Sequence, residues 1–164
     1  MSKHREIFET LHRDYGGMVF QLCLGYMKGD PDLAKDLSQE VFINIWSALN
    51  SFTQASSYKT WIYRIAVNTC LKYIRDKKDI FQDSIDERTV FVTEEPYQVR
   101  EQKHQLLYKA IGQLKEVDRL IIMLVLDELE YAEISTIIGI NEGNLRVKIH
   151  RIKKEIKKIL QNEY

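Results

Sequence analysis

Apolar residues recur every three or four positions along most of this 164-residue chain, and the strict alternation typical of strands is scarce. This periodicity predicts an all-α fold. The helices are expected at about 3–27, 31–49, 59–78, 99–114, 116–127, 131–138 and 142–161. Asp30 and Pro31 mark one helix start, because aspartate accepts from orphan amides and proline at the first helical position loses no hydrogen bond.

The last two predicted helices have the layout of a helix-turn-helix. Gly139 stands where a chain leaving a helix favours a left-handed backbone, and Asn141 can cap the following helix. Between 141 and 160 the second helix carries seven Lys or Arg against two Glu, a net charge of +5, although the whole chain is neutral. This sorted charge favours duplex DNA as a ligand. The alternative is an ordinary solvated amphipathic helix.

The third predicted helix mixes cationic and aromatic residues. Basic and polar positions recur along one face at helical spacing, with aromatic residues interleaved: Lys59, Trp61, Tyr63, Arg64, Asn68, Lys72 and Arg75. Cations attract phosphate and flat rings can stack on unpaired bases, so the mixture indicates contact with single-stranded or melted DNA. The alternative is that the rings belong to the core and the charges are merely solvated.

The second predicted helix has the opposite sign. Asp36 and Glu40 lie on one face with Gln39 beside them, and Phe42 and Trp46 belong to a further apolar row. Carboxylates repel phosphate, whereas large aromatic side chains are favoured anchors in protein interfaces. The helix therefore predicts a protein-docking surface. The alternative is that Phe42 and Trp46 are core residues.

A change in composition divides the chain. From 79 to 96 the helical periodicity stops, and six acidic residues stand against Arg88, a net charge of −5. We therefore expect two small helical domains, 1–78 and 99–164, joined by an acidic linker over 79–98.

Other function classes lack support in the sequence. There is no Gly-rich phosphate loop and no HExxH, and the four histidines are scattered, so we expect neither catalysis nor a cofactor nor a metal. Cys23 and Cys70 are expected to be buried, reduced thiols. No apolar run approaches the ~20 residues of a membrane span, and the first residues lack a signal core, so a cytoplasmic protein without membrane insertion is expected.

Three blocks occur in a familiar order: DLSQEVFINIW (36–46), SYKTWIYRIAVN (57–68) and YAEISTIIGINEGNLRVKIHRIKKEI (131–156). Together they resemble the extracytoplasmic-function group of bacterial RNA polymerase sigma factors. The resemblance implies a non-enzymatic initiation factor that binds core RNA polymerase, directs it to specific promoters and assists melting. Its implied partners are the β′ clamp and the β flap of the polymerase, promoter DNA in duplex and melted form, and an anti-sigma factor that can hold it at the membrane.

The resemblance also implies residue roles. The first block would dock on the β′ clamp through Asp36, Gln39, Glu40, Phe42 and Trp46. The second would read the melted downstream (minus-10) element through Lys59, Trp61, Tyr63, Arg64, Asn68, Lys72 and Arg75. The third would read the upstream (minus-35) element through Asn144, Arg146, Val147 and Lys148 at base edges, with His150, Arg151 and Lys154 at phosphates.

Two rival functions remain open at this point. A stand-alone regulator that dimerises through its N-terminal helices would explain the helix-turn-helix, but it leaves the aromatic and basic third helix without a role. A helical adaptor that binds only proteins would treat the basic helix as a solvated face. The first rival predicts binding to a palindrome without polymerase, and the second predicts no contact with DNA.

Overall fold

A computed structural model describes residues 2–80 and 99–162, with side chains for 2–76 and 104–162. The described regular elements are all helices, which confirms the predicted class. A short 3-10 turn, Leu49–Ser51, follows the second of them. The helices are α1 Lys3–Tyr26, α2 Pro31–Ala48, α3 Tyr58–Ile80, α4 Val99–Gly112, α5 Glu116–Leu126, α6 Tyr131–Ile138 and α7 Glu142–Asn162.

Helices α1, α2 and α3 pack together in the first half of the chain. Their shared core contains Leu22, Leu37, Ile45 and Ile62, all fully buried. Helix α1 runs unbroken through its Gly16-Gly17 pair. Asp30 caps α2 as predicted, since its carboxylate accepts from the amides of Asp32 and Leu33, at 3.0 and 3.2 Å.

Helices α4 to α7 form the second half around α5. The sequence shows two apolar stripes on α5, and both are used. Leu120, Ile121 and Leu124 are fully or almost fully buried in the common core. Ile122 and Val125, with the exposed Leu126, face a groove between α4, α5 and α7. Helix α5 is therefore the central helix of this half and also contributes to an open apolar surface.

The two halves pack against each other, which the sequence did not predict. Helix α1 contacts α4 and α5, and α3 contacts α5 and α6. Arg119 of α5 is only 4% exposed, and its guanidinium donates to the carbonyl of Tyr26 at 3.0 Å and to that of Leu114 at 2.8 Å. It also lies 5.0 Å from the centre of the Tyr26 ring. Buried polar atoms need such partners, so Arg119 joins the two halves.

Gly25 allows the same interface to close. A Cβ atom at this position would lie within 2.9 Å of the Met123 methyl carbon, so only glycine lets α1 approach α5 this closely without displacing Met123. The phenol of Tyr108, on α4, donates to the side-chain oxygen of Gln21 at the edge of the contact. One hydrophobic cluster consequently runs through both halves.

The two cysteines are free and fully buried, as the sequence predicts. The pKa of the Cys70 thiol is raised by its hydrogen bond with Cys23 and by burial. The Cys70 thiol therefore stays protonated, and both cysteines act as small core residues.

The expected linker and domain limits stay predictions. Helix α3 continues through Ile80, and residues 81–98 lie outside the described residues, as do the side chains of Lys77 and Lys78. No helix among the described residues is long and apolar enough to cross a membrane.

Candidate nucleic-acid interface

The helix-turn-helix is built by local signals. Gly139 adopts φ +86°, and its amide donates to the Ser135 carbonyl at 2.9 Å, ending α6 in a left-handed turn. Asn141 then caps α7, because its side-chain oxygen accepts from the amide of Asn144 at 2.7 Å. Both features follow the sequence prediction, and together they set the direction in which α7 leaves the turn.

Helix α7 buries one side and exposes the other. Leu145, Ile149 and Ile152 are buried in the core of the second half. The exposed residues include six of the predicted duplex-binding set: Asn144, Arg146, Val147, His150, Arg151 and Lys154. Val147 is 62% exposed, although aliphatic side chains are usually buried. The outward face thus combines cations with an apolar side chain that could contact a thymine methyl group.

Lys148, the seventh predicted residue, differs from the other six. Its ammonium lies 4.0 Å from a carboxylate oxygen of Asp118, the first-turn aspartate of α5, and the residue is only partly exposed. The side chain therefore lies against the second half's own surface. Its predicted contact with base edges would require Lys148 to turn away from Asp118.

Arg146 is held in place on the outward face. Its guanidinium lies 3.1 Å from the carboxylate of Glu142 one turn earlier and 5.2 Å from the centre of the Tyr131 ring. A planar guanidinium fixed by a carboxylate and an aromatic face loses little freedom when it binds. Glu142 and Tyr131 were not among the predicted site residues, although the four-residue spacing of Glu142 and Arg146 is visible in the sequence.

Helix α3 presents its predicted polar row to solvent. Arg64, Asn68, Lys72 and Arg75 are all exposed. Their spacing places them along one side of the helix, while Ile62 and Ala66 are buried beneath. The row is therefore an open, positively charged strip of the kind that suits a nucleic-acid backbone.

Trp61 lies within an aromatic cluster at the start of α3. Its ring centre is 5.0 Å from that of Phe52 and 6.3 Å from that of Tyr58, and the rings of Phe52 and Tyr58 stack at 4.4 Å. Ser57 caps the helix by accepting from the amide of Thr60 at 3.2 Å. Trp61 is half-buried, so its ring both packs on its neighbours and borders the loop that precedes α3.

Lys59 and Tyr63 face the other half of the molecule. Tyr63 is 2% exposed, and its phenol donates to a carboxylate oxygen of Asp127 at 2.5 Å. The ammonium of Lys59 lies 3.3 Å from the same oxygen. Burial, followed by the hydrogen bond to Asp127, raises the pKa of Tyr63, so the phenol remains a donor. The structure thus separates these two residues from the open row.

Helix α2 carries an exposed acidic and apolar face. Asp36, Gln39 and Glu40 are exposed, and Trp46 is 42% exposed. Trp46 packs edge-on against His4 and Phe8 of α1, with ring centres 4.2 and 5.1 Å apart. This face is open to a protein partner.

Phe42, a predicted contact residue, is buried, whereas its neighbour Ile43 is exposed. Phe42 is buried and packs on Phe8 and His12, so it supports the face from below. Ile43 is 64% exposed and was not predicted. It lies four residues after Gln39 and three before Trp46, on the side opposite Val41 and Ile45. A large aliphatic residue opposite the buried stripe is the signal that identifies it.

The groove between α4, α5 and α7 is the second open apolar surface. It has a volume of about 710 Å³ and is lined mainly by aliphatic side chains: Leu107, Ile122, Val125, Leu126, Ile156 and Leu160. Lys153, Lys157 and Gln161 also line it. Such a groove suits an apolar helix with acidic flanks. Among the residues that the structure describes, no group of His, Cys, Asp and Glu could hold a metal ion.

Comparison with known proteins identifies the two halves. Residues 11–80 match the Sigma-70 region 2 family and residues 104–156 match the Sigma-70, region 4 family. The chain is 33% identical over 165 residues to RNA polymerase sigma factor YlaC of Bacillus subtilis, covering 95% of this chain and 93% of that protein. It is 32% identical to the ECF RNA polymerase sigma-E factor of Escherichia coli K12, covering 93% and 85%.

Solved structures share this fold over most of the chain. One is the sigma factor RpoE from Bartonella quintana in complex with the anti-sigma factor NepR, with a TM-score of 0.81, 22% identity and coverage of 95% and 98%. Another is CnrH in complex with the cytosolic domain of CnrY, with a TM-score of 0.71, 16% identity and coverage of 98% and 91%. At these identities the likeness establishes the fold.

Proposed function

The chain belongs to the extracytoplasmic-function group of RNA polymerase sigma factors, which bind the polymerase and direct it to promoters, and we propose how its surfaces divide that work. Helix α7 binds the upstream duplex element, α3 captures the melted downstream element, and α2 docks on the polymerase. The protein contributes binding and positioning, and catalysis belongs to the polymerase. The protein acts in the cytoplasm.

Two features of α7 support the duplex assignment. The helix follows a capped turn that can present its N-terminal residues to a major groove. Arg146 lies beside Glu142 and Tyr131 on the exposed face, where its guanidinium could make a bidentate contact with guanine. Arg151 and Lys154, farther along the exposed face, take backbone phosphates. Asn144, Val147 and Lys148 complete the base-reading set, and His150 joins the phosphate contacts.

The exposed row of α3 supports the melted-strand assignment. Arg64, Lys72 and Arg75 can follow a phosphate backbone, and Asn68 between them offers both hydrogen-bond donors and an acceptor to a base. The aromatic cluster around Trp61 lies at the start of the same helix, where an extruded base could stack. A strip that combines cations, an amide and rings suits an unpaired strand better than a duplex groove.

The face of α2 is the proposed contact with the β′ clamp. Ile43 and Trp46 supply exposed apolar anchors, while Asp36, Gln39 and Glu40 surround them with polar and acidic groups. A few apolar anchors within a polar rim are typical of specific protein interfaces. Phe42 holds the face in shape by packing on α1.

The groove of the second half is the proposed contact with the β flap. Its aliphatic lining could take the apolar side of a helix, and Lys153 and Lys157 could pair with acidic residues beside it. We also propose an anti-sigma factor as a partner, because the solved neighbours RpoE and CnrH were captured with NepR and with the cytosolic domain of CnrY. Such a partner could hold this protein at the membrane.

The single observation that carries the assignment is the joint presence of three separate surfaces in one chain of this family: basic α7, the open row of α3 and the exposed anchors of α2. The test is transcription by purified core polymerase on genomic fragments, with and without the chain. New transcripts with defined starts are expected only when the chain is present. Their absence in every mixture contradicts the proposal.

Variants of α2 test the docking face within that experiment. Trp46→Ala together with Ile43→Ser should abolish the new transcripts and weaken binding to core polymerase by about 2 kcal/mol or more, as expected for interface anchors. Lys35→Ala, another exposed change on α2, is the matched control and should behave like the wild type. A dimer that protects a palindrome without polymerase, or a chain that never contacts DNA, would support the rival functions.

A further inference from the structure

Asp127 places a carboxylate between two residues of the proposed melted-strand surface. It stands at the end of α5, where its amide donates to the carbonyl of Met123 at 3.1 Å. One of its oxygens accepts from the phenol of Tyr63 and lies 3.3 Å from the ammonium of Lys59. Asp127 and Tyr63 are 64 positions apart in the chain, so this contact joins the two halves.

The surroundings hold the carboxylate there. Arg119 ties α5 to the end of α1 through the Tyr26 carbonyl, and α3 itself packs against α5 and α6. Glu128 follows in a left-handed conformation, φ +62°, which turns the chain directly after Asp127. Asp127 is therefore a fixed group at the interface of the halves.

Lys59 and Tyr63 together have the chemistry of an anion site. They are four residues apart on one side of α3, and they direct an ammonium and a hydroxyl donor at one oxygen. A carboxylate oxygen and a phosphate oxygen both satisfy such donors. The carboxylate of Asp127 thus takes the position that a backbone phosphate of a nucleic acid could occupy.

We propose that Lys59 and Tyr63 form a phosphate site for the melted promoter strand, and that Asp127 occupies this site until the strand displaces it. The inference rests on the proposed function of α3 and adds the chemical group that is bound and its internal competitor. The exposed row of Arg64, Asn68 and Lys72 is available to a strand without any rearrangement, whereas the Lys59–Tyr63 site becomes available only when the second half moves away from α3.

The competition can be measured on the full chain without polymerase. The probe is a fluorescent single-stranded DNA of mixed sequence and about 12 nucleotides, within the range that one such surface covers. Asp127→Asn keeps the size of the side chain and removes its charge. We expect this variant to bind the DNA about tenfold more tightly than the wild type. This is the effect expected when the competing carboxylate loses one charge-assisted hydrogen bond and one partly exposed ion pair.

Glu128→Gln is the matched control, because it removes one negative charge at the neighbouring exposed position. Its effect on the same DNA should stay below about twofold, as for a screened surface charge. If both changes tighten binding equally, general repulsion explains the gain and the proposed competition is wrong. An unchanged affinity in Asp127→Asn also overturns the proposal.

Combined variants identify the bound group. In the Asp127→Asn background, Lys59→Gln should cancel most of the gain and lower the slope of log affinity against log salt by about 0.7, the value for one phosphate on a single strand. Tyr63→Phe should remove a further part of the gain while leaving that slope unchanged. If Lys59→Gln lowers the affinity but leaves the slope of log affinity against log salt unchanged, Lys59 does not contact a phosphate.

These outcomes are separable from the proposed function. If the wild-type chain directs transcription but Asp127→Asn does not bind the strand more tightly, only the Lys59–Tyr63 site is refuted. If no transcripts appear while the oligonucleotide results hold, the initiation role fails and the anion site stands. Unfolding of each variant, followed by circular dichroism, checks that the chain remains folded.

Discussion

Helices α3 and α7 carry similar basic rows but display them differently. Helix α7 buries a single stripe, so the row that includes Arg146 and Arg151 stays open. Helix α3 is buried on two sides, since it packs on α1 and α2 and also on α5 and α6. Its row is consequently divided into an exposed part and the Lys59–Tyr63 pair under Asp127. Two helices with similar charge patterns therefore expose their charged residues equally only when the same number of their sides pack against other helices.

The greatest loss of stability is expected at Arg119, which joins the two halves that enclose α3. Arg119→Met should lower the free energy of unfolding by about 3 kcal/mol, because two buried carbonyls lose a charged donor. Arg151→Met, on the open face of α7, should change it by less than about 0.5 kcal/mol. Urea unfolding followed by circular dichroism measures both. A loss below about 1 kcal/mol for Arg119→Met would show that the packed interface contributes little.

Substitutions on the exposed face of α7 should change which DNA sequences the polymerase complex prefers. Arg146→Ala should weaken binding of the polymerase complex to the upstream element by about 1–3 kcal/mol and relax preference at one base pair. Lys158→Ala, near the exposed end of the same helix, should weaken all sequences slightly and equally. Binding to a set of duplexes with single substitutions distinguishes the two results. A uniform loss for Arg146→Ala would mean that it contacts phosphate only.

Substitutions in the exposed part of the α3 row should impair strand opening. Asn68→Ala should leave the first duplex complex nearly unchanged and disfavour the open complex by about 1 kcal/mol, the value of one hydrogen bond. Permanganate reactivity of unpaired thymines measures opening, and gel retention measures the first complex. An equal loss in both assays would place Asn68 in duplex recognition.

The smallest expected effect concerns the group that positions Arg146. Tyr131→Leu should reduce discrimination at the base read by Arg146 by about 0.5–1 kcal/mol, since an aromatic face stabilises a nearby guanidinium at an exposed site. Tyr131→Phe keeps the ring and should retain the discrimination. If both variants behave alike, the ring does not position Arg146.

Local features of the fold could be predicted from the sequence. The ends of the helices follow from caps and turns within a few residues, as at Asp30, Gly139 and Asn141. The buried stripe of α7 follows from periodicity alone. These signals act between neighbours in the chain, so no knowledge of the tertiary contacts is needed.

Long-range contacts account for what the sequence did not reveal. Tyr63 was predicted to contact DNA, but it is buried on the side of α3 that also carries Val67 and Cys70, and its hydroxyl donates to Asp127 at the end of α5. Lys148 belongs to the basic set, but it lies beside Asp118 of α5. Phe42 is buried because Phe8 and His12 of α1 pack against it, and this contact between helices is not visible in the periodicity of α2. Periodicity identifies the sides of a helix, whereas contacts with other helices determine which sides are buried.

In the proposed function, α7 binds duplex DNA while α3 acts on the melted strand. The most direct test compares Arg146→Ala and Asn68→Ala on an ordinary promoter and on one whose downstream element is already unpaired. The unpaired template should restore initiation by Asn68→Ala and leave Arg146→Ala defective. Equal restoration of both variants, or of neither, would contradict the division of labour between the two helices.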